Sequence, residues 1–124
     1  MQFASVRIIT SDVPRAADFY ERLLGVKAER PAPVFASFRG ETGSLAIGDA
    51  RTVPIEGFAE ASGGVIIEFL VDGPDAVDAT HEEIRSWVET IVQAPADMPW
   101  GNRSMLLRDP DGNLVNIYAP LRQP

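Results

Sequence analysis

The spacing of apolar residues changes along the chain between the period of a strand and the period of a helix. Residues 3–10 are rich in β-branched and apolar side chains, which predicts a strand. Apolar positions then recur every three or four residues, and this spacing predicts a helix that Asp12 caps and Gly25 ends. Two short strands are predicted next, over residues 34–39 and 44–48.

The second half of the chain repeats this order of elements. An apolar run over residues 65–71 predicts a strand, and Pro74 with its acidic neighbours predicts the start of a helix that ends near Trp87. The segment Asp109-Pro110-Asp111-Gly112 has the residue types of a type I turn. The other predicted strands of this half cover residues 90–94, 102–108 and 113–118.

The repeat is visible in two segments of seven residues. They are DVPRAAD from residue 12 and DGPDAVD from residue 72, which lie 60 residues apart and share four identities. Since matching elements follow each segment, the sequence predicts a duplicated βαβββ unit. We expect an α+β fold in a single domain, with a first module over residues 1–50, a linker loop over 51–63 and a second module over 64–124.

Composition excludes several classes of protein. The chain of 124 residues has no cysteine, which excludes disulfides, thiolate metal sites and cysteine nucleophiles. Its 18 acidic and 11 basic residues give a net charge of −7, so it lacks the basic surface that nucleic-acid binding needs. Residues 63–124 hold 10 acidic and 4 basic side chains. This excess is either a solvated surface or a preference for cationic partners.

No segment has the pattern of a membrane span or of a signal peptide. The most apolar run, residues 65–71, is seven residues long and contains Glu68, so it is too short to cross a bilayer. The first ten residues carry Arg7 inside their apolar stretch, unlike a cleaved leader. We therefore expect no membrane partner and a cytoplasmic location.

Two segments carry a resemblance to a known family. They are the first predicted helix, DVPRAADFYERLLGV from residue 12, and the ending WGNRSMLLRDPDGNLVNIYAP from residue 100. Together with the repeat they resemble the glyoxalase, bleomycin resistance protein and extradiol dioxygenase superfamily, which has the vicinal oxygen chelate fold. The resemblance covers nearly the whole chain. It implies that two βαβββ modules form a curled, cup-shaped mixed sheet, with helices outside, a ligand inside and a homodimer as the assembly.

Strand alternation predicts which side chains of the last hairpin face that cup. A four-residue turn pairs Leu107 with Leu114, and Asn116 and Tyr118 then face the cup. The same pairing predicts Arg103 and Met105 on the cup face, and Leu106, Val115 and Ile117 on the face that packs against a helix.

Glu68 is unusual because it interrupts the most apolar run of the sequence. Alternation places Glu68 on the cup face with Ile66 and Leu70, and the register of the family places Arg7 there too. Glu68 is either a catalytic acid or base, a cup-facing carboxylate that is partly hydrated, or one whose charge is satisfied by Arg7 or Arg103.

Aromatic and flexible apolar side chains complete the candidate site. The indole of Trp100 is either a surface on which a ligand stacks or a cap on the dimer interface or sheet edge. Phe38, Met105 and Tyr118 fit the lining of a pocket and would serve equally as core residues, and the core is favoured for Met105. The full set of candidate ligand-binding residues is Arg7, Phe38, Glu68, Trp100, Arg103, Met105, Asn116 and Tyr118.

Metal-binding members of the superfamily place His or Glu at four inward positions. The resemblance matches these positions to Ser5, Ile47, Ile66 (or Val65) and Asn116, none of which is a strong ligand. The single histidine, His81, lies on the second predicted helix and is interpreted as structural. We therefore expect no metal and no other cofactor.

The sequence leaves open whether the protein is an enzyme. The first hypothesis is a binding protein similar to the bleomycin resistance proteins. It would hold a small, partly aromatic or cationic molecule in a metal-free cup, as in drug sequestration. The alternative is a metal-independent lyase, isomerase or hydrolase that uses Glu68 as general acid or base. A structural or regulatory dimer with an empty cup is the third hypothesis.

Overall fold

The chain divides into two compact units, each with its own sheet and helix. The structure, a computed structural model, describes residues 2–53 and 65–122. Unit 1 comprises Met1–Gly63 and unit 2 comprises Gly64–Pro124. Of the predicted linker, Ala50–Thr52 forms one turn of 3-10 helix, and residues 54–63 lie outside the described residues.

Unit 1 has the order strand, helix and three strands. Its elements are β1 (Ser5–Thr10), α1 (Val13–Leu24), β2 (Glu29–Ala32), β3 (Phe35–Phe38) and β4 (Ser44–Asp49). The sheet order is β1-β4-β3-β2, and β1 runs parallel to β4 while the other pairs are antiparallel. A parallel pair needs a crossover connection, which α1 and the β2–β3 hairpin supply.

Helix α1 begins and ends as the sequence predicts. The carboxylate of Asp12 accepts a hydrogen bond from the backbone N–H of Arg15 at 3.1 Å, and Gly25 ends the helix with φ of 70°. Tyr20 is fully buried, and its ring contacts that of Phe38 in an edge-on arrangement, with centroids 6.5 Å apart. Phe38 therefore lies in the core beneath α1.

Strand β2 has no counterpart among the predicted elements. Its four residues are all exposed, and Pro31 interrupts the run. The strand lies at the edge of the sheet and pairs irregularly with β3. Since backbone pairing rather than side-chain burial forms this strand, its sequence carries no hydrophobic alternation.

Unit 2 repeats the architecture of unit 1. Its elements are β5 (Ile66–Leu70), α2 (Pro74–Ile84), β6 (Thr90–Asp97), β7 (Asn102–Arg108) and β8 (Leu114–Pro120). The sheet order is β5-β8-β7-β6, and β5 runs parallel to β8. The predicted α+β class with two βαβββ modules is thus confirmed. Among the described residues, no helix is long and apolar enough to cross a membrane.

The turn between β7 and β8 decides which residues of the two strands share a face. The Asp109 carboxylate accepts hydrogen bonds from the backbone N–H groups of Asp111 (3.0 Å) and Asn113 (2.8 Å), and from the Asn113 side-chain amide (2.8 Å). These contacts draw Asn113 into the turn, so Arg108 pairs with Leu114. The predicted pairing of Leu107 with Leu114 is therefore wrong by one residue.

Candidate functional site

The candidate site lies on the face of the unit 2 sheet opposite α2. Register pairs place Glu68 beside Asn116 and Leu70 beside Tyr118, with Ile66 beside Leu114 on the same face. The intervening pairs, Ile67 with Val115 and Phe69 with Ile117, point to the α2 side. The predicted alternation of β5 and β8 is confirmed.

Glu68 and Asn116 are joined directly. The Nδ2 of Asn116 donates a hydrogen bond to Oε2 of Glu68 at 2.8 Å. Glu68 is exposed, whereas Asn116 is only 9% exposed. The other amide atom of Asn116, Oδ1, is buried and has no hydrogen-bond partner within the part of the chain that the structure describes. A buried acceptor without a partner is rare in native structures, because its lost hydration is not replaced.

Apolar side chains surround this polar pair. Ile66 and Leu70 are 49% and 65% exposed, which is high for residues of this type in a sheet. Across the sheet, Asn116 pairs with Leu106, and Leu106 pairs with Gln93 on β6. The prediction that Leu106 packs against a helix is wrong, because the register is shifted by one residue, and Gln93 was not predicted on this face. Leu106 lies on this face because the turn extends from Asp109 to Asn113.

Arg103 lies on the α2 side of the sheet and does not pair with Glu68. Its Nε donates to the Asp97 carboxylate at 2.7 Å, and its Nη1 donates to Asp78 of α2 at 2.8 Å. The hydrogen bond from Arg103 lowers the pKa of Asp97, and the same bond raises the pKa of Arg103. Arg103 therefore joins β7 to β6 and to α2, and the prediction that it shares a face with Asn116 and Tyr118 is wrong.

The variant Arg103→Gln is expected to raise the pKa of Asp97 toward the ordinary value of about 3.9. A lowered carboxyl pKa contributes stability that is present above about pH 4 and is lost as the pH falls through the folded-state pKa. The variant is thus less stable than the parent at neutral pH, and the difference shrinks in acid. NMR titration of the Asp97 carboxyl carbon measures the shift. Arg85→Gln, which removes the pairing with Glu82, is the control. An unchanged Asp97 pKa in Arg103→Gln would contradict the assignment.

Met105 and Phe38 are core residues, so the open faces do not include them. Met105 is fully buried and pairs with Ile117, on the side of the sheet where α2 packs. Phe38 packs against Tyr20 of α1. The placement of Met105 on the cup face is wrong because it rested on the incorrect hairpin register.

Arg7 lies on the open face of unit 1. Ser5, Arg7 and Ile9 pair with Ser44, Ala46 and Gly48, so the predicted alternation of β1 is confirmed. Arg7 is exposed, and its Cδ would lie 3.3 Å from a Cβ placed on Gly48, so the stem of the arginine covers this glycine. The matched metal position Ile47 is fully buried on the α1 side, and the residue beside Arg7 is Ala46.

Trp100 extends from the turn between β6 and β7. The turn closes by a hydrogen bond from Gly101 N–H to the carbonyl of Met98, and Gly101 has a φ of 99° that favours glycine. The indole is 72% exposed. The neighbouring Asn102 pairs with Pro120, four residues along β8 from Asn116, which corresponds to about 13 Å.

The donor groups of the described residues do not fit a divalent metal ion. Within residues 2–53 and 65–122 there is no cluster of three His, Asp or Glu side chains placed to hold one. Glu68 supplies one carboxylate, and Asn116 turns its amide nitrogen toward it. The corresponding register pair of unit 1, also placed six residues before its helix, is Arg7 with Ala46. A cation and a methyl group are not metal ligands.

Comparison with solved structures supports the fold assignment. A glyoxalase/bleomycin resistance protein/dioxygenase from Nocardioides is 25% identical, covers 100% of this chain and 86% of its own, and has a TM-score of 0.82. A family enzyme of the same description from Burkholderia phytofirmans PsJN is 22% identical, with coverage of 95% and 98% and a TM-score of 0.83. A lactoylglutathione lyase from Agrobacterium tumefaciens is 18% identical, with coverage of 95% and 92% and a TM-score of 0.77. The last two likenesses show the fold alone.

The sequence itself matches a family model over most of its length. No curated protein matches the chain by sequence. The model of the Glyoxalase/Bleomycin resistance protein/Dioxygenase superfamily, in contrast, matches residues 2–117, which include the first βαβββ module, all of the second except the end of β8, and the Glu68–Asn116 pair. The chain therefore belongs to the Glyoxalase/Bleomycin resistance protein/Dioxygenase superfamily.

Proposed function

We propose that this protein binds a small, partly aromatic or cationic molecule without a metal ion, on the open face that carries Glu68 and Asn116. The observation that supports this most is the hydrogen-bonded pair itself, a carboxylate and an amide set among exposed apolar side chains. Binding without turnover, as in sequestration of a drug, is the form of function that we propose.

The chemistry of the face supports a ligand with two parts. Ile66 and Leu70 offer exposed apolar surface that an aromatic or aliphatic body can cover, with about 25 cal/mol gained per Å² removed from water. Glu68 offers a negative charge at the centre of this surface. The excess of acidic residues in the second half of the chain favours the approach of cations.

The variant Glu68→Gln tests the proposal. A thermal-shift screen of cationic, neutral and anionic aromatic compounds is expected to find stabilising ligands among the cations. The change to Gln is expected to weaken such a ligand about tenfold or more, because a hydrogen bond to a charged group is lost. Glu83→Gln, which alters an exposed carboxylate on α2, is the control and leaves the Kd unchanged. A screen without any stabilising compound would overturn the proposal.

The same variant separates binding from catalysis. Glu68 is exposed, and its Oε1 makes no hydrogen bond within residues 2–53 and 65–122, so this oxygen could exchange a proton in a lyase, isomerase or hydrolase reaction. Turnover that disappears in Glu68→Gln while binding persists would favour the enzyme over the sequestering protein.

The proposal includes a homodimer and leaves Trp100 outside the immediate site. Exposed apolar residues beside β5 and on β6, such as Val65 and Val92, support association of two copies, which light scattering measures. Trp100→Ala is expected to leave the binding of a small ligand unchanged, because Pro120, the β8 residue that pairs beside the Trp100 turn, lies about 13 Å along the strand from Asn116.

A further inference from the structure

The side-chain carbonyl oxygen of Asn116 is a buried acceptor for which the described part of the chain supplies no donor. Asn116 is more than nine-tenths buried, and its Oδ1 has no hydrogen-bond partner among the described residues. We propose that the Glu68–Asn116 pair selects a primary ammonium group, carried on an apolar body, as the head group of the ligand. The inference rests on the proposed function and names its class of ligand.

The orientation of the amide follows from the partner that it contacts. An ionised carboxylate only accepts hydrogen bonds, so the atom of Asn116 at 2.8 Å from Glu68 Oε2 is the nitrogen. The oxygen is consequently the atom that lacks a partner. Exchanging the two amide atoms would set two acceptors against each other and leave a buried N–H unpaired.

The two oxygen atoms of the pair that lack a hydrogen-bond partner among the described residues are both acceptors. They are Oδ1 of Asn116 and Oε1 of Glu68, and together with the carboxylate charge they call for a group with several N–H donors and a positive charge. A primary ammonium has three donors and one charge. A quaternary ammonium has the charge without donors, a hydroxyl has one donor without charge, and a carboxylate is repelled.

Space and surroundings limit the size of the head group. Since Oδ1 is buried, a ligand reaches it only by entering between neighbouring side chains, which a small ammonium does more easily than a branched one. Outside the pair, the exposed surface of Ile66 and Leu70 is apolar and suits an aromatic or aliphatic body. The expected ligand is thus a primary amine on a hydrocarbon skeleton.

Three matched probes test the selection by isothermal titration calorimetry. They are protonated phenethylamine, its N,N,N-trimethyl analogue and phenethyl alcohol, which share the phenethyl body and differ in charge and N–H donors. Phenethylamine is expected to bind about tenfold or more tightly than either of the other two, because only it combines a positive charge with N–H donors. Equal affinity of the amine and the trimethyl analogue would overturn the inference.

Two variants assign the selection to the pair. Asn116→Leu keeps the branched shape and removes the acceptor, so the preference for the amine over the trimethyl analogue is expected to fall several-fold, whereas Asn102→Leu, at the start of β7, leaves it unchanged. Glu68→Gln is at an exposed position and tests the charge even if Asn116→Leu does not fold. It is expected to weaken phenethylamine about tenfold and to leave phenethyl alcohol unaffected. A preference that survives both changes would contradict the proposal.

The outcomes distinguish this inference from the function on which it rests. If the thermal-shift screen yields a ligand that depends on Glu68 but carries no amine, the binding function stands and the ammonium assignment fails. If no compound binds, both fail. Displacement of phenethylamine by stoichiometric Zn²⁺ or Mn²⁺ would overturn the ammonium assignment in favour of a metal site.

Discussion

Replacing Met105 by alanine is expected to lower the free energy of unfolding by about 2–5 kcal/mol, the range for removing a buried side chain of this size. Met105 is fully buried and pairs with Ile117 on the side of the sheet that α2 covers. Its loss leaves a cavity between the sheet and α2, where the buried Val77 and Ile84 cannot fully close the space.

Urea unfolding measures this effect, with Leu106→Ala as the matched control. Leu106 is adjacent in sequence but lies on the open face and is only half-buried, so its truncation is expected to cost less, about 1 kcal/mol. Ligand binding is expected to depend on Leu106 and not on Met105, the reverse of the order expected for stability. Folded Met105→Ala protein should bind as the parent does, while Leu106→Ala alters the open face. A smaller loss of stability in Met105→Ala than in Leu106→Ala would contradict the observed register of β7. It would favour the register predicted from the sequence, in which Leu106 packs against the helix.

Replacing Asp109 by alanine is expected to lower the free energy of unfolding by about 2–4 kcal/mol, since backbone and side-chain donors lose a charged acceptor in a largely buried place. The carboxylate accepts three hydrogen bonds, from Asp111 and twice from Asn113. These contacts hold Asn113 inside the turn and thereby fix the pairing of Arg108 with Leu114.

Amide hydrogen exchange complements denaturation for this variant. The N–H groups of Asp111 and Asn113 are expected to exchange faster in Asp109→Ala, because both lose their acceptor. Asp109→Asn is the conservative comparison: its one remaining oxygen still accepts from the backbone, so the loss is expected to be intermediate. Unchanged exchange at Asn113 in Asp109→Ala would falsify the role assigned to this carboxylate.

The parts of the fold that local chemistry determines could be predicted from the sequence. A capping aspartate, a terminal glycine and helical spacing identified α1, and alternation placed Glu68 and Asn116 on one face. The register of β7 could not be predicted, because a turn motif specifies its backbone type but not how many residues the Asp109 side chain gathers. Strand β2 had no hydrophobic signal, since its residues stay exposed at a sheet edge.

The partner of Glu68 was also beyond prediction. The sequence favoured Arg7 or Arg103 as partners, because a carboxylate among apolar residues is expected to pair with a cation. Its observed partner, Asn116, follows from the parallel register of two strands that are 48 residues apart. Arg103 instead donates hydrogen bonds to Asp97 of β6 and Asp78 of α2. The positions of these two elements beside β7 are known only from the folded structure.

The parallel pairing of β5 with β8 has a consequence for how the protein is made. During synthesis, β5 emerges before α2, β6 and β7, yet the only strand beside it in the described sheet is β8, whose Asn116 follows Glu68 by 48 residues. Until β8 has been synthesised, the apolar residues and unpaired backbone groups of β5 remain available to other chains. Nascent proteins in this state aggregate or recruit chaperones. A chain that is truncated before Leu114 therefore lacks the strand that joins β5 to β7, and it also lacks the Glu68–Asn116 pair.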